Sequence, residues 1–336
     1  MPQPLNVAVL GATGLVGRAM LEVLEQRSFP VRQLTALASS RSAGQSLVFR
    51  GTRHTVQEVS EAAFTGVDVA LFSAGGGTSK QWAPVAAAAG AIVIDNSSAW
   101  RMDPEVPLCV PEVNLAAANF RPKGIIANPN CSTIQMLVAL HPLHLRAGLR
   151  RIDVATYQAV SGAGIEAVQA LARQHQVLAA GDDPTAETAL GGVLAGNLLM
   201  SWTPDAATGY SEEELKLMRE TRKILAADDI EVSATAVRVP VTTGHAEAVT
   251  LTTQAPLSAT QARTLLHEAP GVRLVDDFAG GLYPTPADAT GQDPVLVGRV
   301  RQVPGNLHAL QLWVVADNLR KGAALNAVQI AEGLLC

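Results

Sequence analysis

Leu5-Asn-Val-Ala-Val-Leu-Gly-Ala-Thr-Gly-Leu-Val-Gly17 is the stretch that decides the fold. An apolar run, Leu5–Leu10, reads as a short strand, and it ends at the glycine turn Gly11-Ala-Thr-Gly14-Leu-Val-Gly17. A helical pattern opens inside that turn and runs from Leu15 to Gln26. Bare amides at the start of such a helix can hold a pyrophosphate, although the spacing is GxxGxxG and a tight turn without a ligand would read the same way. Working outward, strands at Leu34–Ala38, Val67–Ser73 and Ala91–Ile94 alternate with an Ala-rich helix at Ser79–Ala89, the signature of a doubly wound parallel sheet. After Asn128 the pattern changes. Helices are predicted at Ser132–Arg146, Ile165–Ala180 and Ser211–Ala226, and strands at Arg151–Gln158, Glu231–Val239, Ala248–Thr253, Val295–Val300 and Leu310–Val315, spaced like antiparallel partners. The long polar loop from Gly181 to Gly209 reads as functional or interfacial. A last helix from Gly322 to Leu334 is apolar at Ala324, Leu325, Val328 and Ile330, so it is expected to return and pack on the first domain.

Composition narrows the function. A chain of 336 residues, 48% of them hydrophobic, is about two domains long and can bury proper cores. Its net charge of −5 and lack of a Lys/Arg run leave nothing to neutralise a nucleic-acid backbone or an anionic membrane, so small solutes are the expected partners. The longest apolar run, Val85–Ile94, is half the roughly 20 residues that span a bilayer, and the N-terminus has no basic leader. The expected location is the cytoplasm. Cys109, Cys131 and Cys336 form no CxxC pair, and His141 and His144, three apart, have no third ligand; no metal is expected.

Three segments carry chemistry. After the second strand comes Ser39-Ser40-Arg41-Ser42, with no Asp or Glu to take a ribose 2′-hydroxyl. Arg41 and its neighbouring hydroxyls suit a 2′-phosphate, which points to NADP; a solvated surface arginine is the plain alternative. In Asn128-Pro-Asn-Cys131-Ser-Thr133 a cysteine opens a helix, where the macrodipole favours the thiolate; a buried structural cysteine is the alternative there, and the assignment for Cys109 and Cys336. His245, in Arg238-Val-Pro-Val-Thr-Thr-Gly-His245, is the candidate acid/base. Arg238 and His245 are seven apart and would face opposite sides of one strand, so they meet only if the strand breaks near Thr243-Gly244.

Taken in order, GATGLVG, LASSRSAG, DNSSAWRM, VPEVN, NPNCSTIQ, TYQAVSGAG, EEELK with ETRKIL, RVPVTTGH and DNLRKGAALNAVQIAE resemble the aspartate-β-semialdehyde dehydrogenases over nearly the whole chain. The resemblance implies an α/β protein of glyceraldehyde-3-phosphate-dehydrogenase-like architecture. A Rossmann-type doubly wound NADP-binding domain (1–127 plus 317–336) would be joined to an α+β catalytic and dimerisation domain (128–316). It implies NADP-dependent, reversible reduction of L-aspartyl-4-phosphate to aspartate 4-semialdehyde with release of inorganic phosphate, toward lysine, threonine and methionine, by a homodimer or a tetramer. Cys131 would be the nucleophile and His245 the acid/base; Gln158, Arg238 and Glu213 would hold the substrate; Arg101, Asn130 and Lys216 its phosphate. Gly11, Thr13, Gly14, Leu15, Val16, Ser39, Arg41, Ser42, Ser161, Gly162 and Asn318 would contact the cofactor. N-acetyl-γ-glutamyl-phosphate reductases share the cysteine and the fold, but NCSTIQ and Gln158 with Arg238 argue against them. Two places depart from the family pattern: Ala246, where Ser is common, and Thr185–Ala207, which does not follow the usual aromatic and Pro-rich run.

Overall fold

The computed structural model describes residues 3–335. They form two compact units, one running to Asn130 and resuming at Gly322, the other Cys131–Lys321. The first unit opens with β1 (Leu5–Leu10), α1 (Leu15–Gln26) and β2 (Val31–Ala38). A small hairpin, β3 (Ser46–Phe49) and β4 (Thr52–Thr55), precedes the short β5 (Gln57–Glu58). β6 (Val69–Phe72), α2 (Gly76–Ala88), β7 (Ile92–Asp95), the single turn α3 (Pro111–Asn114) and β8 (Ile125–Ala127) follow. The sheet order is β5-β2-β1-β6-β7-β8, with every pair parallel.

Winding out from β1 to one side through α1 and to the other through β6 makes a topological switch point at the carboxyl end of β1. The glycine turn stands there. A β-carbon on Gly17 would lie 2.1 Å from the Gly11 carbonyl oxygen, so any side chain would push α1 off the turn. Central β6 is buried throughout and its neighbours β1 and β7 are buried beyond their first residues, as parallel strands covered on both faces must be. β5, β8 and the hairpin were not expected: two- to four-residue strands are too short to show periodicity.

The second unit begins with α4 (Cys131–Ala147), β9 (Leu149–Gln158), α5 (Ile165–Ala179), α6 (Glu212–Leu225) and β10 (Glu231–Arg238). It continues with β11 (His245–Thr253), α7 (Ala259–Glu268), β12 (Val272–Leu274), the single turn α8 (Pro286–Ala289), β13 (Val295–Val303) and β14 (Asn306–Ala316). The sheet order is β10-β9-β11-β14-β13-β12. Antiparallel spacing was expected throughout, but β10 with β9 and β12 with β13 are parallel. The reason is the connections, since α5, a long loop and α6 lie between β9 and β10, length enough for a crossover. Helix α7 was also missed, although Ser258 and Gln261 form a reciprocal capping box at its start.

Burial alternates along β9, β10 and β11, so one sheet face is covered and the other half-open. Helix α4 packs on the sheet, against β9, β11, β13 and β14. Residues 181–211 contain no helix; bridges Glu187 to Gly192, Leu199 to Arg238 and Pro204 to Ser211 hold that loop in shape. The last helix, α9 (Leu325–Leu335), follows a π-helical turn at Arg320–Ala324 and packs in the first unit against α1, β6 and β7.

Candidate active site

Three polar side chains stand in a row on the covered face at one end of the mixed sheet. In the β10–β9 register Arg238 is the partner of Gln158, and in the β9–β11 register Tyr157 is the partner of Ala246, which sets His245 across from Gln158. The chain does break between Arg238 and His245, which lie on different strands joined by residues 239–244. Gly244 makes the return at φ +93°, and a β-carbon there would meet the Pro286 carbonyl oxygen at 2.7 Å. All three side chains are buried, at 9%, 1% and 1% exposure for Arg238, Gln158 and His245.

Ala159 holds two of them. Its N–H donates to His245 Nδ1 at 3.0 Å, and its carbonyl accepts from Arg238 Nη1 at 2.7 Å. A backbone N–H can only donate, so Nδ1 is the acceptor and the imidazole proton sits on Nε2. A β-carbon on Gly162 would lie 3.4 Å from His245 Nε2 and 3.5 Å from Arg238 Nη1, so the donor ends of both side chains border the same glycine. Burial pushes the His245 pKa down to about 3, helped by the Arg238 charge and opposed by Glu213. Burial also lowers Arg238, against the charges of Glu213 and Cys131, which are close enough to act on it.

Cys131 is the first residue of α4, half-buried, and no acidic residue stands in that helix's first turn to cancel the dipole. Ser132 beside it accepts from Gln158 Nε2 at 2.7 Å, and the same nitrogen donates to Glu213 Oε1 at 3.0 Å. The other Glu213 oxygen accepts from Lys216 Nζ at 3.1 Å, with Glu213 buried and Lys216 half-buried. The second unit therefore gathers Cys131, Gln158, Glu213, Lys216, Arg238 and His245. Asn318 braces the site: its Nδ2 donates to Ser161 Oγ at 2.8 Å and its Oδ1 accepts from Gly244 N at 2.9 Å.

Sequence reading missed three residues here. Gln135 Nε2 donates to the His245 carbonyl at 3.3 Å, and Arg238 Cζ lies over the Trp202 ring. Glu247 is fully buried on the His245 face of β11 beside the Gln135 amide, and burial raises its pKa well above the usual value, against a hydrogen bond from Gln135. A carboxylate two residues along a strand from His245 was the available signal.

In the first unit Gly11, Thr13, Gly14, Leu15 and Val16 form the turn into α1. Gly14 caps that helix without a side-chain hydrogen bond, and its first turn holds no acid, so the turn fits a phosphate-bearing nucleotide. Ser39, Arg41 and Ser42 lie at a one-turn 3-10 helix after β2, with Ser39 and Arg41 exposed. A carboxylate does stand nearby on another strand: Glu58 of β5 is the register partner of Ala38. Arg101, which reads as a surface residue, is buried and donates to the carbonyls of Asn128 at 3.0 Å and Asn96 at 2.9 Å. Asn130 is buried as well. Cys109 is a buried thiol near the Asn114 carbonyl, while Cys336 lies outside the described residues. His144 accepts from the Leu149 N–H at the end of α4.

The family profile described as "Semialdehyde dehydrogenase, NAD binding domain" matches residues 6–119, and "Semialdehyde dehydrogenase, dimerisation domain" matches residues 140–321. Fold and site thus define a nicotinamide-dependent semialdehyde dehydrogenase. The chain is 52% identical over 335 residues to "Aspartate-semialdehyde dehydrogenase" of Synechocystis sp., covering 100% of this chain and 98% of that protein. It is 51% identical over 332 residues to the protein of that name from Aquifex aeolicus, covering 98% of each. The crystal structure of aspartate semialdehyde dehydrogenase II complexed with ASA from Vibrio cholerae superposes with a TM-score of 0.95 at 50% identity, covering 99% of this chain and 98% of that one. The chain belongs to the aspartate-semialdehyde dehydrogenase family.

The two buried groups on β11 predict a pH signature. His245 stays neutral in the fold while the unfolded chain takes up a proton below its ordinary 6.5, so it lowers stability as pH falls toward about 3. Glu247 stays protonated in the fold while the unfolded chain releases its proton above the ordinary 4.5, so it lowers stability as pH rises. Between about pH 4.5 and 6.5 the two slopes oppose, each ~1.4 kcal/mol per pH unit at full development. Relative to wild type, the Glu247→Gln stability should climb with pH in that window and that of His245→Asn should decline. Urea unfolding at pH 5 and 6 checks this, and parallel behaviour of all three proteins would rule it out.

Proposed function

We propose that the protein interconverts L-aspartyl-4-phosphate and L-aspartate 4-semialdehyde with release or uptake of inorganic phosphate, using NADP and a thioester on Cys131, toward lysine, threonine and methionine. The observation that carries this reading is the row of Arg238, Gln158 and His245, linked through Ser132 to the first turn of α4.

The Cys131 thiolate, favoured by the helix dipole and the Arg238 charge, attacks the acyl carbon. The carbon–phosphate oxygen bond breaks, phosphate leaves and the thioester forms. NADPH, when bound, supplies a hydride to the thioester carbon. His245, proposed as the acid/base, offers its Nε2 proton in a hydrogen bond to the oxygen as it becomes negative and keeps that proton as the carbonyl re-forms and the C–S bond breaks, returning the thiolate; the one proton the reduction consumes overall leaves on the phosphate. Because burial keeps the ring neutral, it acts on that oxygen through a hydrogen bond and leaves no charge of its own in the dry site. Arg238 takes the substrate α-carboxylate, its planar fork matching that group. The buried Glu213 carboxylate complements the ammonium, with Gln158 beside it. Arg101 and Asn130 are proposed as phosphate ligands, as is Lys216. Ser161, Gly162 and Asn318 are proposed, with the glycine turn, as cofactor contacts, and Arg41 with Ser39 and Ser42 as the reader of the 2′-phosphate.

The proposed assembly is a homodimer, with a tetramer as the alternative. In the second unit Tyr157 and Trp313, their rings 5.5 Å apart, mark the half-open sheet face, and Leu198, Met200, Phe278 and Leu282 are exposed. Apolar surface of this kind favours a self-complementary interface. The proposed location is the cytoplasm, and no helix among the described residues is long and apolar enough to cross a membrane.

Incubation with aspartate semialdehyde, phosphate and NADP⁺ should raise the NADPH absorbance. Cys131→Ser should abolish that signal and leave NADP⁺ binding intact, because a serine hydroxyl is a poor nucleophile there; turnover surviving in the variant would exclude the thioester. Arg41→Ala should weaken NADPH binding by about 1.5–3 kcal/mol, the scale of a lost charge-assisted hydrogen bond, with NADH little affected. Equal losses for both cofactors would remove Arg41 from the 2′-phosphate site.

A further inference from the structure

The long loop between α5 and α6 reaches the substrate row. Leu199 forms a two-way backbone bridge with Arg238 on the outer edge of β10: Leu199 N donates to the Arg238 carbonyl at 3.1 Å and Arg238 N to the Leu199 carbonyl at 2.8 Å. Three residues on, the Trp202 ring lies against the same arginine, with Arg238 Cζ 4.7 Å from its centroid. Trp202 is only half-buried, whereas the guanidinium it meets is almost fully enclosed.

This approach is built in. Upstream, Leu190, Leu194 and Ala195 pack into a buried cluster with Val160, Ala167 and Leu171. Buried Gln174 of α5 laces the loop, its Oε1 accepting from Leu194 N at 2.9 Å and Ala195 N at 3.1 Å and its Nε2 donating to the Thr185 and Gly192 carbonyls. Ser201 Oγ donates to the Leu190 carbonyl at 3.0 Å, and Thr203 O accepts from Glu212 N at 2.9 Å at the start of α6. Trp202 is thus tied down on both sides.

We propose that Trp202 is a positioning residue for the substrate-binding arginine: lying against the guanidinium, it sets the plane in which Arg238 presents its in-plane N–H donors. The inference rests on the reading of Arg238 as the α-carboxylate ligand. An indole covers the face of a guanidinium and competes for none of its donors, which point outward along the edge. One of those edges is fixed by the Ala159 carbonyl. With a face and an edge both held, the planar ion has little freedom to tilt, and a carboxylate finds the fork preformed.

Two substitutions separate stacking from bulk. Trp202→Leu keeps an apolar side chain without a π face, and Trp202→Phe keeps the π face. Steady-state kinetics of semialdehyde oxidation, with melting temperature and solution mass recorded for each variant, should show a roughly three- to thirtyfold rise in KM for aspartate semialdehyde in Trp202→Leu. Its kcat and its KM for NADP⁺ should stay near wild type, and Trp202→Phe should restore most of the affinity. In an Arg238→Leu background, which should itself raise this KM, Trp202→Leu should add nothing. A raised KM in Arg238→Leu with none in Trp202→Leu overturns the positioning role alone, as does a Trp202→Leu effect that adds in full to Arg238→Leu. An unchanged KM in Arg238→Leu overturns the carboxylate assignment and the inference with it.

Discussion

A single backbone residue sets the chemistry of the second unit. The N–H of Ala159 donates to His245 and its carbonyl accepts from Arg238, so a neutral imidazole and a cation are fixed side by side with almost no water. Either side chain alone would be expensive to bury. Together they are tolerable because the imidazole gives up its charge and the guanidinium keeps Glu213 and the Cys131 sulfur within range of its own. Everything proposed for the reaction depends on that division: one group charged to bind, one neutral to donate.

The fold supplies the division through the direction of its strands. Because β9 and β10 run parallel, their carboxyl ends coincide, and Gln158 and Arg238 finish as register partners. The loops that follow are then laced together, Val160 N to the Val241 carbonyl and Ser161 N to that of Thr242, so Ala159 cannot shift without moving both. β11 re-enters antiparallel beside β9 and adds His245 to the row. Had β9 and β10 been a hairpin, Gln158 and Arg238 would stand at opposite ends of their strands. Under the row, Gln135 and Glu247 make a polar layer, an arrangement that burial makes costly and that fixes the His245 backbone from behind.

Much of this was legible in the sequence, and the residues say why. The glycine turn declares itself because Gly17 packs within contact distance of the Gly11 carbonyl, which only one residue type allows. Cys131 at the start of α4 was readable from the apolar period that follows it. The break between Arg238 and His245 was anticipated at Gly244, whose positive φ is a local requirement. Strand direction was not readable, because parallel pairing depends on where a long connection returns. Nor was the burial of Arg101, which donates to two backbone carbonyls that leave no trace in side-chain pattern. Trp202 was hidden for a similar reason: its partner lies 36 residues on, and only the Leu199 bridge brings the two together.

The state of His245 is the most direct check on the whole account. Nitrogen-15 NMR of histidine-labelled protein, with the His245 signals assigned by their loss in His245→Asn, reports both charge and tautomer. From pH 8 down to pH 5 the imidazole should remain neutral, with Nε2 protonated and Nδ1 bare and hydrogen-bonded. An imidazolium forming near the ordinary histidine value of 6.5, or a proton on Nδ1, would contradict it.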